Sequence, residues 1–236
     1  MIIKRIQNTV FKKRLVLFLG VVLVSCGQQN KDVHFGEAPL QLNGFNFDLD
    51  IPNFFNDEAY FRHKADISMR AEEEMVELDD QDEPFEYVRY SQSSFSSDTK
   101  VAAYGDLVFR KILLCTDLAD ENTYLVGAQQ EDLTASDIDK LVNNLKKDYG
   151  TPTPYIDIEK KNDRASYEWY LEDKVVKLVL NVQTTSDMEE APEDGWQRIL
   201  YDNEEDLSAT LFIATKQFDQ VMQEAYSFSG MLVYYR

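Results

Sequence analysis

The sequence is poor in the side chains that enzymes use for nucleophilic and metal-assisted chemistry. It holds only two histidines, His34 and His63, and two cysteines, Cys26 and Cys115. A serine or cysteine nucleophile is usually activated by a histidine base, and no serine lies in a G-x-S-x-G turn. A dedicated zinc site needs a cluster of histidine and thiolate ligands, which these scattered residues do not supply. The sequence therefore predicts a non-catalytic protein without a metal or other cofactor.

Positive charge is also scarce, with 24 basic residues against 43 acidic ones and a formal net charge of -19. Such a surface repels phosphate backbones, so nucleic-acid binding is disfavoured. No glycine-rich motif that cradles a phosphate is present either. A basic protein partner or a cation would be attracted by the charge.

Long hydrophobic runs are missing except for one short stretch near the start. Residues 15–24 are apolar and follow the basic residues Lys12, Lys13 and Arg14. A helix needs about 20 apolar residues to cross a bilayer, and this run is shorter. Positive charge, a short apolar core and then small residues are typical of an export signal. We therefore interpret residues 1–25 as a signal peptide.

The end of this segment, Leu23, Val24, Ser25 and Cys26, resembles the lipobox of bacterial lipoproteins. The resemblance covers only the first 26 residues, and it implies cleavage just before Cys26. It further implies a diacylglycerol on the Cys26 sulfur and a fatty acid, such as palmitate, on the new amino group. Two acyl chains already give stable anchoring, so the protein is expected to stay on the membrane without crossing it. Gly27 in place of an aspartate resembles lipoproteins that are released to the outer membrane, and the expected orientation faces the periplasm.

Cys115 has no partner for an internal disulfide once Cys26 carries lipid. Its neighbours, from Ile112 to Leu114, are apolar. This setting predicts a buried and unreactive thiol.

The rest of the chain is expected to hold a polar tether over residues 26–40 and a globular domain over residues 41–236. A division into two sub-domains near residues 150–160 is left open. Patterns of apolar residues predict the following elements: strands at 45–51, 85–90, 107–115, 123–129, 167–171, 176–182, 196–201, 207–214 and 231–235, and helices at 56–78, 134–150 and 217–226.

This order of elements predicts an α+β fold, with antiparallel sheet and two or three helices packed on one face. Strict alternation of strand and helix is missing, which argues against a doubly wound parallel sheet. Residues 104–182 hold a predicted strand pair, a helix that closes on Tyr149-Gly150-Thr151-Pro152, and a hairpin with a Tyr-Glu-Trp sequence. In this combination they resemble small α+β modules of bacterial lipoproteins of unassigned function. That resemblance implies a fold and supplies no catalytic residue.

Two alternatives involve carboxylates. The acidic runs at 79–83 and 202–206 hold oxygen ligands of the kind that calcium prefers, although neither has the EF-hand spacing. A glycan hydrolase needs only two carboxylates, and Glu168 lies in an aromatic stretch between Tyr167 and Trp169. Strand alternation points Glu168 away from those two rings. The leading hypothesis is a non-catalytic lipoprotein that binds an envelope protein; the alternative is a carboxylate-dependent envelope glycan hydrolase.

Overall fold

The structure is a computed structural model of the 236-residue chain. It describes residues 33–55, 69–78, 84–92, 99–157, 164–182, 207–225 and 230–235.

Eleven strands, three α-helices and one 3₁₀ helix lie within these residues. In chain order they are β1 Leu40–Gln41, α1 Ile51–Phe55, β2 Met69–Val76, β3 Phe85–Gln92, β4 Ala102–Tyr104, β5 Leu107–Phe109, β6 Lys111–Thr116, β7 Thr123–Leu133, α2 Ala135–Tyr149, β8 Thr153–Asp157, β9 Arg164–Tyr170, β10 Lys174–Val182, β11 Leu207–Thr215, α3 Lys216–Glu224 and the 3₁₀ helix Gly230–Tyr234.

Eight strands form one sheet in the order β2-β3-β6-β7-β11-β10-β9-β8, and every neighbouring pair is antiparallel. A second sheet has the order β1-β4-β5, in which β1 and β4 are parallel and β4 and β5 antiparallel. The predicted α+β class with an antiparallel sheet is confirmed. Strands on both sides of residues 150–160 belong to the same large sheet.

The large sheet is covered on both faces, whereas the order of elements predicts helices on one face only. Residues of α2 pack with Leu178 and Leu211 in one core, which also takes in the small sheet. Residues of α3 pack with Val179 and Phe212 in a second core. Because neighbouring strand residues point to opposite faces, these two cores lie on opposite sides of the sheet.

The helix α2 follows the predicted pattern closely. Thr134 caps its first turn by accepting a hydrogen bond from the backbone N–H of Asp137, and the Asp137 side chain accepts one from the Thr134 backbone. The apolar stripe Ile138, Leu141, Val142 and Leu145 is buried against the sheet. This reciprocal capping satisfies two donors that the helix would otherwise leave unpaired.

The prediction of a strand at 45–51 is wrong. Phe47 has a φ of 66°, a left-handed conformation that interrupts an extended run. Asp50 instead caps α1, since its carboxylate accepts a 3.0 Å hydrogen bond from the Asn53 N–H. Pro52 lies in the first turn of this helix, where its missing N–H costs nothing. Phe45 and Leu49 are buried although they lie outside any strand.

Two further segments form a different type of element from the one predicted. Met69–Val76, predicted to end a helix, is the strand β2; the start of that prediction, at 56–68, lies outside the described residues. The predicted last strand at 231–235 is mostly the 3₁₀ helix Gly230–Tyr234. The predicted strand at 196–201 also lies outside the described residues, and β11 pairs with β10 and β7.

The packed structure extends into the segment that is predicted to be a tether. Phe35 contacts Phe54 and Phe55 with ring centroids 5.8 and 5.5 Å apart, and its N–H donates to the Phe54 carbonyl. Leu40 is fully buried in β1. Phe35 and Leu40 therefore pack against the domain, and residues 26–32 of the predicted tether lie outside the described residues.

Candidate functional site

The second core contains a lysine that local alternation places on an apolar face. Lys177 lies in β10 between Val175 and Val179, with which it shares a side of the strand. Only 1% of Lys177 is exposed, so its ammonium group has almost no access to water. A buried charge of this kind is tolerated only when it is paired.

Two carboxylates pair with this lysine from different elements. Nζ of Lys177 lies 3.0 Å from Oδ1 of Asp219 in the first turn of α3. It lies 3.7 Å from Oε1 of Glu168, which is its direct cross-strand neighbour in β9. Asp219 is the more shielded of the two, with 11% of its side chain exposed against 21% for Glu168.

Two tyrosines complete the cluster. The Tyr235 hydroxyl donates a 2.8 Å hydrogen bond to Oδ1 of Asp219, and the Lys177 ammonium lies 4.4 Å from the Tyr235 ring centroid. Burial, followed by the nearby Asp219 charge, raises the pKa of Tyr235 well above its usual value, so this phenol keeps its proton. The Tyr170 hydroxyl donates a 2.6 Å bond to Oε2 of Glu168. We call these five residues the Lys177 cluster.

A second charged group lies at the edge strand β2. Arg89 of β3, of which 8% is exposed, pairs with Glu72 and with Glu74, whose Oε1 is 2.9 Å from the Arg89 Nη2. The hydrogen bond from Arg89 lowers the pKa of Glu72 below its usual range. These ion pairs explain why a glutamate-rich segment forms a strand: alternate acids face one arginine.

The opposite side of β2 is exposed and combines apolar and acidic character. Met75 is 60% exposed, which is the largest exposure of any large hydrophobic side chain among the described residues. Glu86 is its direct cross-strand partner, and Glu73 precedes it by two residues on the same side. All three side chains are exposed. We call Glu73, Met75 and Glu86 the Met75 surface.

Only some of the site residues predicted from the sequence lie among the residues that the structure describes. Cys26, His63 and the acidic runs at 79–83 and 202–206 all lie outside the described residues, so lipidation and calcium binding stay predictions. His34 lies among the described residues, and its Nδ1 is 2.8 Å from the Asn53 carbonyl oxygen. Cys115 is fully buried as predicted, and burial raises the pKa of its thiol.

Glu168 points away from Tyr167 and Trp169, as alternation predicted. Those two rings pack in the first core, whereas Glu168 contacts Lys177 and Tyr170 on the other side of the sheet. Glu168 and Asp219 are therefore brought together around one ammonium group. An acid–base pair for glycoside hydrolysis needs open space between its carboxylates for the sugar or for water, and here the lysine occupies it.

The sequence patterns do not predict Lys177, Asp219 and Tyr235 as members of a site, although one signal is present for Lys177. A lysine inside the run from Val175 to Leu180 faces the same side as two valines, which indicates a buried charge in need of a partner. Nothing local indicates that the partner is Asp219, because that contact depends on where α3 docks.

The described part of the chain lacks two further features. No three or more histidine, cysteine, aspartate or glutamate side chains come together there in a way that could hold a metal ion. None of the helices described has both the length and the apolar character that a membrane span requires.

Comparison with known proteins gives no match: neither a protein-family model, nor a curated protein, nor a solved structure is significantly similar to this chain.

Proposed function

We propose that the protein is a bacterial lipoprotein, anchored through Cys26 to the outer membrane and facing the periplasm. Its acidic α+β domain binds a protein of the cell envelope in an assembly, accessory or inhibitory role, without catalysis. The observation that carries the anchor is the order of features at the N-terminus: basic residues, a short apolar run, then Leu23, Val24, Ser25 and Cys26.

The expected partner is basic and partly apolar. The net charge of -19 attracts positively charged surfaces over a distance and speeds their association. The Met75 surface offers an exposed thioether between two carboxylates, and methionine adapts its shape to varied apolar partners. Lysine and arginine combine an aliphatic stem with a charged end, so they suit such a surface. This supports a partner that presents basic side chains.

Metabolic labelling tests the anchor. Cells that express the full chain are grown with labelled palmitate, and the wild type is compared with Cys26→Ser and Cys115→Ser. We expect label in the wild type and in Cys115→Ser and none in Cys26→Ser. Equal membrane fractionation and equal labelling of the wild type and Cys26→Ser would refute lipidation at Cys26.

Site-directed photo-crosslinking in native membranes tests the partner. A photoreactive residue replaces Met75 in one variant and the exposed Asn143 of α2 in a control. We expect a discrete crosslinked protein from position 75 that is weakened by Glu73→Lys and absent from position 143. Identical products from both positions, or none from position 75, would contradict the proposed surface.

The alternative function remains a carboxylate-dependent envelope glycan hydrolase. It requires turnover of a glycan by the purified protein and loss of that turnover in Glu168→Gln. A glycan-release assay on isolated envelope material distinguishes the two functions, since the leading proposal expects no activity above the background of a heat-treated sample.

A further inference from the structure

An amine and a carboxyl group are held in contact inside the second core. Nζ of Lys177 lies 3.0 Å from Oδ1 of Asp219. Counted over the whole residue, 1% of Lys177 and 7% of Asp219 are exposed. Keeping two charges in such a place costs desolvation free energy. A covalent amide between the same groups carries no charge and avoids that cost.

From this geometry we propose that Lys177 and Asp219 join in an intramolecular amide bond once the chain has folded. The bond between Nζ and Cγ of Asp219 forms, and the bond from Cγ to the oxygen Oδ2 breaks. That oxygen leaves as water with two protons from the ammonium group. One positive and one negative charge disappear together, and the reaction needs no oxidant, reductant or other reactant.

Two neighbours supply the catalysis. The Tyr235 hydroxyl, 2.8 Å from Oδ1, donates to the oxygen on which negative charge develops when the amine attacks. Glu168 Oε1, 3.7 Å from Nζ, takes a proton from the amine and passes it to the leaving oxygen. The Glu168 side chain is 21% exposed, so it also connects the buried pair with solvent, where the water product goes.

The fold favours the reaction because it holds the two reacting groups together and shields them from water. Reactants that are fixed beside each other reach effective concentrations of about 10⁵ M or more, which far exceeds what free amines and acids experience. The Tyr235 ring lies over the ammonium group at 4.4 Å and shields it from bulk water. Exclusion of water slows the reverse hydrolysis. The modification depends on neither the lipid anchor nor a partner.

Peptide mapping of the full-length protein tests the bond. An amide at Lys177 blocks trypsin there, so residues 175–198 are released as one peptide that is joined to residues 217–236. We expect this branched peptide, lighter by one water than the sum of its parts. A cyclic imide at Asp219 loses the same mass but leaves the two peptides separate. Complete recovery of separate peptides 178–198 and 217–236 from folded protein would overturn the proposal.

Two matched variants test the mechanism. Glu168→Gln keeps the size of the side chain but removes the proton acceptor, and Glu172→Gln makes the same change at an exposed residue in the adjoining turn. After refolding, we expect the branched peptide to accumulate in Glu172→Gln as in the wild type and at least tenfold more slowly in Glu168→Gln. Circular dichroism establishes that both are folded. An unchanged rate in folded Glu168→Gln would overturn the role of Glu168.

Discussion

Replacing Phe218 by alanine tests whether α3 covers the second face of the sheet. Phe218 is fully buried, and its ring lies 5.3 Å from Tyr87, 6.0 Å from Tyr124 and 6.1 Å from Phe85. Truncating a buried phenylalanine costs about 3–5 kcal/mol, and the loss of these ring contacts places Phe218→Ala in the upper part of that range. Alanine is the better helix former, so the loss is one of docking rather than of helix formation.

Urea unfolding followed by circular dichroism measures the effect. Gln223→Ala, at an exposed position of the same helix, serves as the control and is expected to change the free energy of unfolding by less than about 0.5 kcal/mol. Leu145→Ala probes the other face, where Leu145 of α2 is fully buried, and is expected to cost about 2–5 kcal/mol. Both core variants should unfold in one transition, because the two cores share the sheet.

A cost below about 1 kcal/mol for Phe218→Ala, close to that of an exposed substitution, would show that α3 does not dock on the sheet. Loss of one unfolding phase with the other unchanged would show that the two faces unfold independently.

Three further predictions concern single contacts. Trp169→Phe removes the 2.9 Å hydrogen bond from Nε1 to the Gly150 carbonyl and should lower the free energy of unfolding by about 1–3 kcal/mol in the same urea assay. The hydrogen bond from Thr134 lowers the pKa of Asp137 below its ordinary value of 3.8. The ionised carboxylate therefore stabilises the fold above that pH. This contribution is lost as the pH falls through the folded-state pKa. Stability measured at pH 6 and pH 3 should therefore fall less in Asp137→Asn than in the wild type; an equal fall would contradict the capping role. Cys115, whose thiol is buried and has a raised pKa, should react with a thiol reagent in Cys26→Ser protein only after denaturation, and rapid labelling of the folded protein would refute its burial.

The sequence predicts those elements whose apolar face can be identified from neighbouring residues alone. Alternation in β9 and β10 and the 3.6-residue period of α2 were sufficient, because each element presents one apolar side to the sheet. The segment at 45–51 alternates equally well, but none of the strands in the described part of the chain pairs with it, and Phe47 adopts a left-handed conformation. The strand β2 could not be predicted from its own residues, because its glutamates pair with Arg89, which lies in the next strand.

The sequence of β10 also contains a partial signal that both faces of the sheet are covered. β10 carries Val176, Leu178 and Leu180 on one side and Val175 and Val179 on the other, and all five are buried. A strand that is apolar on both sides is covered on both sides. The partners within the Lys177 cluster could not be predicted in this way, since Asp219 and Tyr235 reach Lys177 only after α3 and the 3₁₀ helix have packed.

Mass spectrometry of the N-terminal peptide, taken from protein extracted from native membranes, tests the central functional claim most directly. The account predicts that the chain begins at Cys26 and that this residue carries a diacylglycerol and a further acyl chain. A mature chain that still begins at Met1, or one that begins at another residue with an unmodified Cys26, would contradict it.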